Sequence, residues 1–309
     1  MQRRRRVATL SVLVVLMVLS GTLAAVAGSL FSKRLTVAVR PTATPSSSVA
    51  GRPSVQRWTP AQQDRWLYQL GSAAPRLNAC VKPWSGGGRR CVKPTVWALD
   101  LYAPDGATVN RAAVNAIHRV GGRAVCYVSA GSVEDWRPDA KQFPRSVVGN
   151  ALDGWPGEKW LDVRALRSLR PLMETRADRC VDAGFDAIDW DNVDGYTNES
   201  GFPLRAEDQL TYNRVLAAIA HERDLSVGLK NDLGQIPQLV RTFDFAINEQ
   251  CVQFNECQLL LPFSEAGKPV VQIEYAAAPS SFCPFANRHH WDAVVMSRDL
   301  RSAPWTPCR

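Results

Sequence analysis

The sequence predicts an α/β fold, a single-domain (β/α)8 TIM barrel, and the order of its segments supports this prediction. Between residues 96 and 296, short apolar segments rich in β-branched and aromatic residues alternate with segments of helical periodicity. This alternation is typical of a parallel barrel. A doubly wound open sheet is the alternative, but no G-x-G-x-x-G follows the first strand to favour it. The eight predicted strands are Val96–Leu101, Ala124–Ser129, Lys159–Val163, Ala187–Trp190, Ser226–Leu229, Phe243–Asn248, Val270–Glu274 and Ala293–Met296.

Helical patterns separate these strands. Ala107–Val120 follows the first strand, Arg164–Ala183 follows the third and Glu207–Arg223 follows the fourth. The third strand, Lys159–Val163, is predicted from a short run of five residues. The long loop that precedes it, residues 131–158, is a candidate wall of a substrate cleft.

Acidic and aromatic residues gather at the carboxyl ends of the predicted strands. In parallel α/β folds these ends form the mouth at which ligands bind. Seven of the eight ends carry an acid, and Asp189 and Asp191, two residues apart, share one face of their strand. We therefore expect an open mouth lined by carboxylates and aromatic rings. Its predicted residues are Asp100, Tyr127, Trp136, Asp189, Asp191, Tyr196, Lys230, Asn231, Glu249, Glu274 and Tyr275.

Two of these acids, Asp191 and Glu249, end different buried strands. Glycosidic cleavage requires two carboxylates, one to protonate the leaving oxygen and one to act as nucleophile or base. The pair therefore favours a glycoside hydrolase, for which we expect no cofactor and no metal. A metal-dependent hydrolase would need a His/Asp cluster at the strand ends, whereas His118 and His221 fall within predicted helices.

The charge of the chain does not indicate nucleic-acid binding. The chain has 37 Lys and Arg against 29 Asp and Glu, a formal net charge of +8. Nine of the basic residues and none of the acids precede residue 61, so the remainder carries 28 against 29, or −1. The basic excess belongs to the amino-terminal segment, and no basic stripe with interleaved aromatic residues follows.

The amino-terminal segment predicts export. Residues 1–32 combine four arginines with a long uncharged apolar run, which is typical of a signal peptide cleaved after Ala27 or of a retained membrane anchor. Either alternative places the rest of the chain outside the cytoplasm, secreted or anchored to the outer face of the cytoplasmic membrane. A Pro/Thr/Ser-rich flexible linker, residues 33–61, is predicted before the catalytic domain, residues 62–309, which we expect to be monomeric.

Cysteine usage agrees with export. All eight cysteines lie in the predicted domain, an even number that favours disulfides in a secreted chain. Their spacing contains no C-x-x-C pair that would favour metal binding. Locality predicts Cys80–Cys91 and Cys251–Cys257, which leaves Cys126–Cys180 and Cys283–Cys308 by elimination.

Several runs resemble the motifs of glycoside hydrolase family 114, the endo-α-1,4-polygalactosaminidases. The resemblance extends over roughly residues 94–300, and its central run reads Ala-Ile-Asp-Trp-Asp-Asn-Val-Asp-Gly-Tyr at Ala187–Tyr196. The other runs are Tyr127–Pro138, Gly228–Asp232, Asn248–Cys251 and Ile273–Tyr275. The resemblance implies a (β/α)8 barrel that cleaves α-1,4-linked galactosamine polymers, with Asp191 and Glu249 as the catalytic carboxylates.

On this basis we expect Glu249 to be the acid/base and Asp191 the nucleophile or base, although the reverse assignment stays open. Asp189 and Glu274 would raise the pKa of the acid or bind substrate, but Asp189 could instead pair with Lys230 inside the barrel. An acidic mouth fits a cationic amino-sugar polymer. Two other functions remain possible: a non-catalytic barrel that binds such polymers, and a glycosidase acting on a different extracellular or wall glycan.

Overall fold

The computed structural model describes residues 57–71, 74–85, 91–301 and 303–309. The strands, in chain order, are β1 (Trp66–Tyr68), β2 (Val96–Asp100), β3 (Arg123–Ser129), β4 (Ser132–Glu134), β5 (Val148–Ala151), β6 (Glu158–Leu161), β7 (Ala187–Asp191), β8 (Ser226–Lys230), β9 (Phe245–Glu249), β10 (Val270–Glu274), β11 (Asp292–Met296) and β12 (Trp305–Pro307). The α-helices are α1 (Arg111–Arg119), α2 (Leu166–Ala183), α3 (Ala206–His221), α4 (Ile236–Leu239), α5 (Leu261–Glu265) and α6 (Pro279–Arg288).

Eight parallel strands form the barrel. They are hydrogen-bonded in the order β1-β2-β3-β7-β8-β9-β10-β11, and β12 adds an antiparallel partner beside β11. The first and last parallel strands are joined by a side chain, because the carboxylate of Asp292 in β11 accepts the backbone N–H of Trp66 in β1 at 2.7 Å. The (β/α)8 fold predicted from the sequence is confirmed.

One predicted strand was wrong. Lys159–Val163 is not part of the barrel; its residues overlap β6, which pairs antiparallel with β4 and β5 in a separate three-stranded sheet. We call β4, β5 and β6 the side sheet. Lys159 is exposed between the buried Glu158 and Trp160, an alternation typical of an antiparallel sheet with one solvated face.

The missing barrel strand is β1. It has three residues, all buried, and pairs in parallel with β2 through Trp66 and Val96. A run of three residues is too short to show a period in the sequence. The other seven predicted barrel strands are confirmed within a few residues at their ends.

Helices cover the outside of the barrel. Outward-facing strand residues pack against them; for example, the indole N–H of Trp190 donates to the carbonyl of Leu216 in α3 at 3.2 Å. Gly184 ends α2 with φ 93°, a left-handed conformation that glycine adopts without strain. The first helix begins at Arg111, later than predicted, because Ala107 and Thr108 are held in a turn by the Asp105 carboxylate.

All four predicted disulfides are present: Cys80–Cys91, Cys126–Cys180, Cys251–Cys257 and Cys283–Cys308. Two of them tie barrel elements together, since Cys126 lies in β3 and Cys180 in α2, while Cys283 in α6 binds Cys308 just after β12.

The predicted leader, residues 1–32, and most of the predicted linker, residues 33–61, lie outside the described residues. Within the part of the chain that the structure describes, no helix is both long and apolar enough to span a membrane.

Candidate active site

The inward-facing side chains at the carboxyl ends of the strands form the mouth of the barrel. Because side chains alternate along a strand, Asp189 and Asp191 of β7 point inward while Trp190 packs outward. The register places Tyr127 of β3 beside Asp189, and Lys230 ends the next strand, β8. Neighbouring parallel strands thus bring charges that are distant in sequence into one cluster.

Lys230 holds the two predicted catalytic carboxylates together. Its ammonium donates to Asp191 Oδ1 at 3.0 Å and lies 3.3 Å from Glu249 Oε2. Since both distances share the Lys230 nitrogen, the two oxygens can be separated by no more than the sum, 6.3 Å. The structure therefore brings Asp191, Lys230 and Glu249 into direct contact. Lys230 is itself buried. Burial lowers its pKa, but the three neighbouring carboxylates raise that pKa by more, so the side chain stays an ammonium ion.

Two tyrosines complete the carboxylate pair. The Tyr127 hydroxyl donates to Asp191 Oδ2 at 2.7 Å, and the Tyr275 hydroxyl donates to Glu249 Oε1. Burial would raise the pKa of Asp191, but the Lys230 ammonium and the hydrogen bond from Tyr127 outweigh burial and hold that pKa below its usual range. Asp191 is therefore ionised at neutral pH.

Asp189 lies deeper in the barrel and is in a different state. It is fully buried, and its Oδ2 accepts the Tyr68 hydroxyl at 2.7 Å. Burial raises the pKa of Asp189 to about 7, although the Lys230 ammonium acts in the opposite direction. The direct ion pair between Asp189 and Lys230 that the sequence left open is not formed, because Lys230 contacts Asp191 and Glu249 instead.

Strained residues follow the three functional strands. Asn192, Asn231 and Gln250 come directly after Asp191, Lys230 and Glu249, and each has a left-handed φ between 53° and 65°. Asparagine tolerates this region better than most residues, and such strain concentrates at functional sites. The Asn231 side-chain oxygen accepts the backbone N–H of Glu249 at 3.0 Å, which fixes the end of β9.

The side sheet covers the β2–β3–β7 side of the mouth. Its register puts Glu134 of β4 opposite Glu158 of β6. Arg137 binds two carboxylates, those of Glu134 and Asp100, through four hydrogen bonds of 2.6–2.8 Å. The predicted ligand Asp100 is thus at the mouth, where it is engaged by Arg137.

The remaining predicted residues occupy different places. Trp136 is 45% exposed beside the side sheet. Tyr196 lies against the turn after β8, where a Cβ added to Gly234 would be 3.0 Å from its hydroxyl.

Glu274 faces away from the pair. It precedes Tyr275, whose side chain points inward, and its Oε1 accepts the backbone N–H of Val252 and the side-chain amide of Gln272. Cys251 and Cys257 lie within 4.8 Å of Glu274, but they are joined in a disulfide and offer no thiolate to a metal.

Sequence reasoning missed three members of the mouth. Tyr68 was missed because its strand is too short to recognise. Arg137 lies inside the run Tyr127–Pro138, which could have indicated it, and Glu158 closes the loop that was predicted as a cleft wall. Nothing in the sequence identified Glu158 individually as a mouth residue.

A (β/α)8 barrel with two carboxylates from β7 and β9, both in contact with one ammonium from the strand between them, β8, has the architecture of a glycosidase. The comparisons with known proteins agree. The chain belongs to glycoside-hydrolase family GH114, whose model matches residues 48–308, and it is a glycoside hydrolase.

Solved structures similar to this chain include Ega3 and a domain of PelA. Ega3 from Aspergillus fumigatus, solved in complex with galactosamine, is 33% identical; the match covers 82% of this chain and 98% of Ega3, with a TM-score of 0.70. The glycoside hydrolase domain of PelA from Pseudomonas aeruginosa is 13% identical, covers 78% of this chain and 97% of that domain, and shares the fold at a TM-score of 0.55. No curated protein sequence matches the chain.

Proposed function

We propose that the protein is an endo-acting glycosidase that cleaves α-1,4-linked galactosamine polymers by means of Asp191 and Glu249. Membership of the family and the 33% identity to Ega3, which was solved with galactosamine, support the substrate class. The observation that carries the mechanism is the contact of one ammonium, Lys230, with both carboxylates. An acidic mouth also complements a polymer whose amino groups carry positive charge.

The first step divides the work between the two carboxylates. Asp191, kept ionised by Lys230 and Tyr127, attacks the anomeric carbon as the nucleophile. Glu249 donates a proton to the glycosidic oxygen as the bond to the leaving sugar breaks. The products of this step are a glycosyl ester on Asp191 and a free sugar hydroxyl.

The second step regenerates the enzyme. Glu249, now a carboxylate, takes a proton from water, and the hydroxide attacks the anomeric carbon while the Asp191 ester bond breaks. Retaining enzymes hold the two carboxyl groups about 5–5.5 Å apart and inverting enzymes about 6.5–9.5 Å. The upper limit of 6.3 Å between Asp191 Oδ1 and Glu249 Oε2 favours the retaining course.

The surrounding residues position the pair and hold its charges. Lys230 keeps Asp191 ionised and holds the Glu249 carboxylate close to it. Tyr127 and Tyr275 orient the two carboxylates. Asp189, with its pKa near 7, lies beneath Lys230 and adds negative charge that holds the ammonium in place when it is ionised.

We place this activity outside the cytoplasm. Four disulfides suit an oxidising compartment. Residues 7–32 would serve either as a cleaved signal or as the single attachment to the membrane.

The test is product release from a de-N-acetylated α-1,4-galactosamine polymer by the full chain, compared with Asp191→Asn and Glu249→Gln. We expect oligosaccharides from the parent and essentially none from either variant, with melting temperatures retained. Absence of products from the parent would reject the substrate, and activity that survives both substitutions would reject the residues. Binding without turnover by the parent would instead indicate a non-catalytic barrel.

A further inference from the structure

A third carboxylate, that of Glu158, faces the mouth from the side sheet. In antiparallel β4 and β6, Ser132 lies opposite Trp160 and Glu134 lies opposite Glu158, so these four side chains share one face. Ser132 contacts Ser129 of β3, and Glu134 contacts Arg137, which also binds Asp100. This face of the side sheet therefore points toward the barrel mouth.

The backbone brings Glu158 close to Asp191. The backbone N–H groups of Ala130 and Gly131 both donate to the carbonyl oxygen of Asp191, at 2.9 and 3.1 Å. Only glycine fits at 131, since a Cβ there would lie 1.6 Å from the carbonyl oxygen of Asn192. The Asn192 side chain then donates to Glu158 Oε1 at 2.9 Å. Glu158 is thus joined by one residue to the proposed nucleophile.

Among the residues that the structure describes, Glu158 has no cation of its own. Arg137 is shared by Glu134 and Asp100, whereas Glu158 Oε1 accepts only the neutral donors Ser132 and Asn192. Within the described parts of the chain, Glu158 Oε2 accepts no hydrogen bond and no Lys, Arg or His nitrogen lies within 4.0 Å of the carboxylate. Yet the side chain is only 5% exposed. A buried carboxylate in this position is costly unless a cation joins it.

We propose that Glu158 binds the ammonium group of the substrate sugar that lies beside Asp191, and so selects an amino sugar over its N-acetylated form. This inference rests on the proposed function, and it assigns the selectivity to one residue. An ammonium donates a charge-assisted hydrogen bond to Oε2 and neutralises the buried charge. An acetamide is neutral and larger, and it leaves the carboxylate without a counter-ion.

The charges around Glu158 are consistent with this role. Burial raises the pKa of Glu158 to about 7, and the negative charges of Glu134 and Asp191 add to the shift, while Ser132 and Arg137 act against it. Tyr127 also interacts with Glu158 and is neutral because burial raises its pKa. A bound ammonium would favour the ionised form of Glu158.

The test compares Glu158→Gln with the parent on galactosamine oligosaccharides of known, partial N-acetylation. Glutamine keeps an oxygen that can accept the hydrogen bonds from Ser132 and Asn192, but it removes the charge. We expect the KM for fully de-N-acetylated oligosaccharides to rise roughly 10- to 100-fold, with a much smaller change in kcat. We also expect sequencing of the products to show that the parent requires a free amine at one sugar beside the cleaved bond and that the variant does not.

Two further variants distinguish recognition from support. Ser132→Ala removes a donor to the same Oε1 while the charge remains, so the requirement for the free amine should persist. Glu158→Asp keeps the charge and should retain the requirement even if Glu158→Gln folds poorly. Unchanged KM and unchanged amine selectivity in Glu158→Gln, or equal loss of selectivity in Ser132→Ala, would overturn the inference. A parent that releases no product from the polymer would instead reject the proposed function on which it rests.

Discussion

Acids at the two ends of the barrel strands have opposite uses. At the mouth, Asp191 and Glu249 share the Lys230 ammonium and each accept a tyrosine hydroxyl. At the opposite end of the barrel, Asp186 and Asp244 directly precede β7 and β9, and Asp292 opens β11. We call these three residues the amino-terminal acids.

The amino-terminal acids bind the backbone of the adjacent strand. Asp186 accepts the N–H of Ala124 in β3, and Asp244 accepts the N–H of Val227 in β8. Two of them also bind a helix histidine, since His118 contacts Asp186 and His221 contacts Asp244, both at 2.8 Å. The amino-terminal acids thus bind strand ends and join helices to the barrel, whereas the mouth acids bind one shared ammonium and two tyrosine hydroxyls.

This difference explains why an acid next to a strand is not by itself a catalytic signal. A carboxylate whose oxygens are taken by backbone N–H groups stabilises the fold. A carboxylate that shares one ammonium with a second carboxylate can take part in proton transfer. Substitutions at the two ends should therefore separate activity from stability.

Glu249→Ala should have the largest effect on activity. Loss of the proton donor should lower the rate on the polymer by about 10²- to 10⁴-fold, the usual contribution of general acid catalysis. Substrates with a leaving group that needs no proton should lose much less in the first step. Pre-steady-state rates of the first step on both substrate types, with a melting curve of the variant, check this. Equal losses of the first-step rate on both would mean that Glu249 is not the acid.

Lys230→Met should come next, with a loss of roughly 10- to 100-fold near neutral pH. Without the ammonium, burial would dominate and the pKa of Asp191 would rise, so the acidic limb of the kcat/KM profile should move to higher pH. The matched control is Lys268→Met at the amino-terminal end of the barrel strands, where the Lys268 ammonium donates to the carbonyl of Val240. That variant should lose stability and keep the acidic limb at the same pH. Movement of the limb in the control would show that the shift does not come from the contact of Lys230 with Asp191.

Asp292→Ala should reduce stability by about 1–3 kcal/mol, because the buried N–H of Trp66 loses its acceptor. Burial raises the pKa of Asp292 to about 6, above its unfolded value, so its favourable contribution is lost as pH rises through 6. Asp292→Asn keeps an acceptor without the charge and should therefore be less sensitive to pH over this range. Urea unfolding between pH 4 and 8 measures both variants. A large fall in kcat of folded Asp292→Ala would contradict a purely structural role for Asp292.

His221→Gln should have the smallest effect, less than about 1 kcal/mol. Burial raises the pKa of Asp244, but hydrogen bonds from His221 and the backbone N–H of Val227 outweigh it, so the pKa lies below its usual range. A lowered pKa stabilises the fold above the unfolded value and loses that contribution as pH falls through the folded value. The difference between parent and variant should thus be present at pH 6 and shrink below pH 4. A constant difference down to pH 3 would show that the Asp244 contact is not its source.

The sequence predicted the strands that have a long apolar run, and it failed where length or pairing decides the structure. Ala187–Asp191 and Phe245–Glu249 were found because both faces are buried, which leaves a continuous apolar signal that ends at the carboxylate. Trp66–Tyr68 gave no signal because it is three residues long. Lys159–Val163 was misassigned because its partners, β4 and β5, are a matter of tertiary pairing.

The candidate site divides in the same way. Residues at the carboxyl ends of barrel strands, such as Asp191, Lys230 and Tyr275, could be placed at one mouth from strand order alone. The direction of Glu274 could not, because a shift of one residue reverses the face of a strand and the sequence does not fix its end that closely. Glu158 and Arg137 enter through the side sheet, whose position depends on contacts such as that between Gly131 and Asn192.

Trapping the proposed glycosyl ester on Asp191 tests the mechanism most directly. The full chain carrying Glu249→Gln is mixed with a galactosaminyl fluoride, whose fluoride leaves without a proton, and the digested protein is mapped by mass spectrometry. Glutamine at this position cannot activate water, so the ester should accumulate. We expect a mass gain of one galactosaminyl unit on the peptide that contains Asp191. A label on another carboxylate, or turnover to the inverted anomer without any adduct, would contradict the proposed role of Asp191.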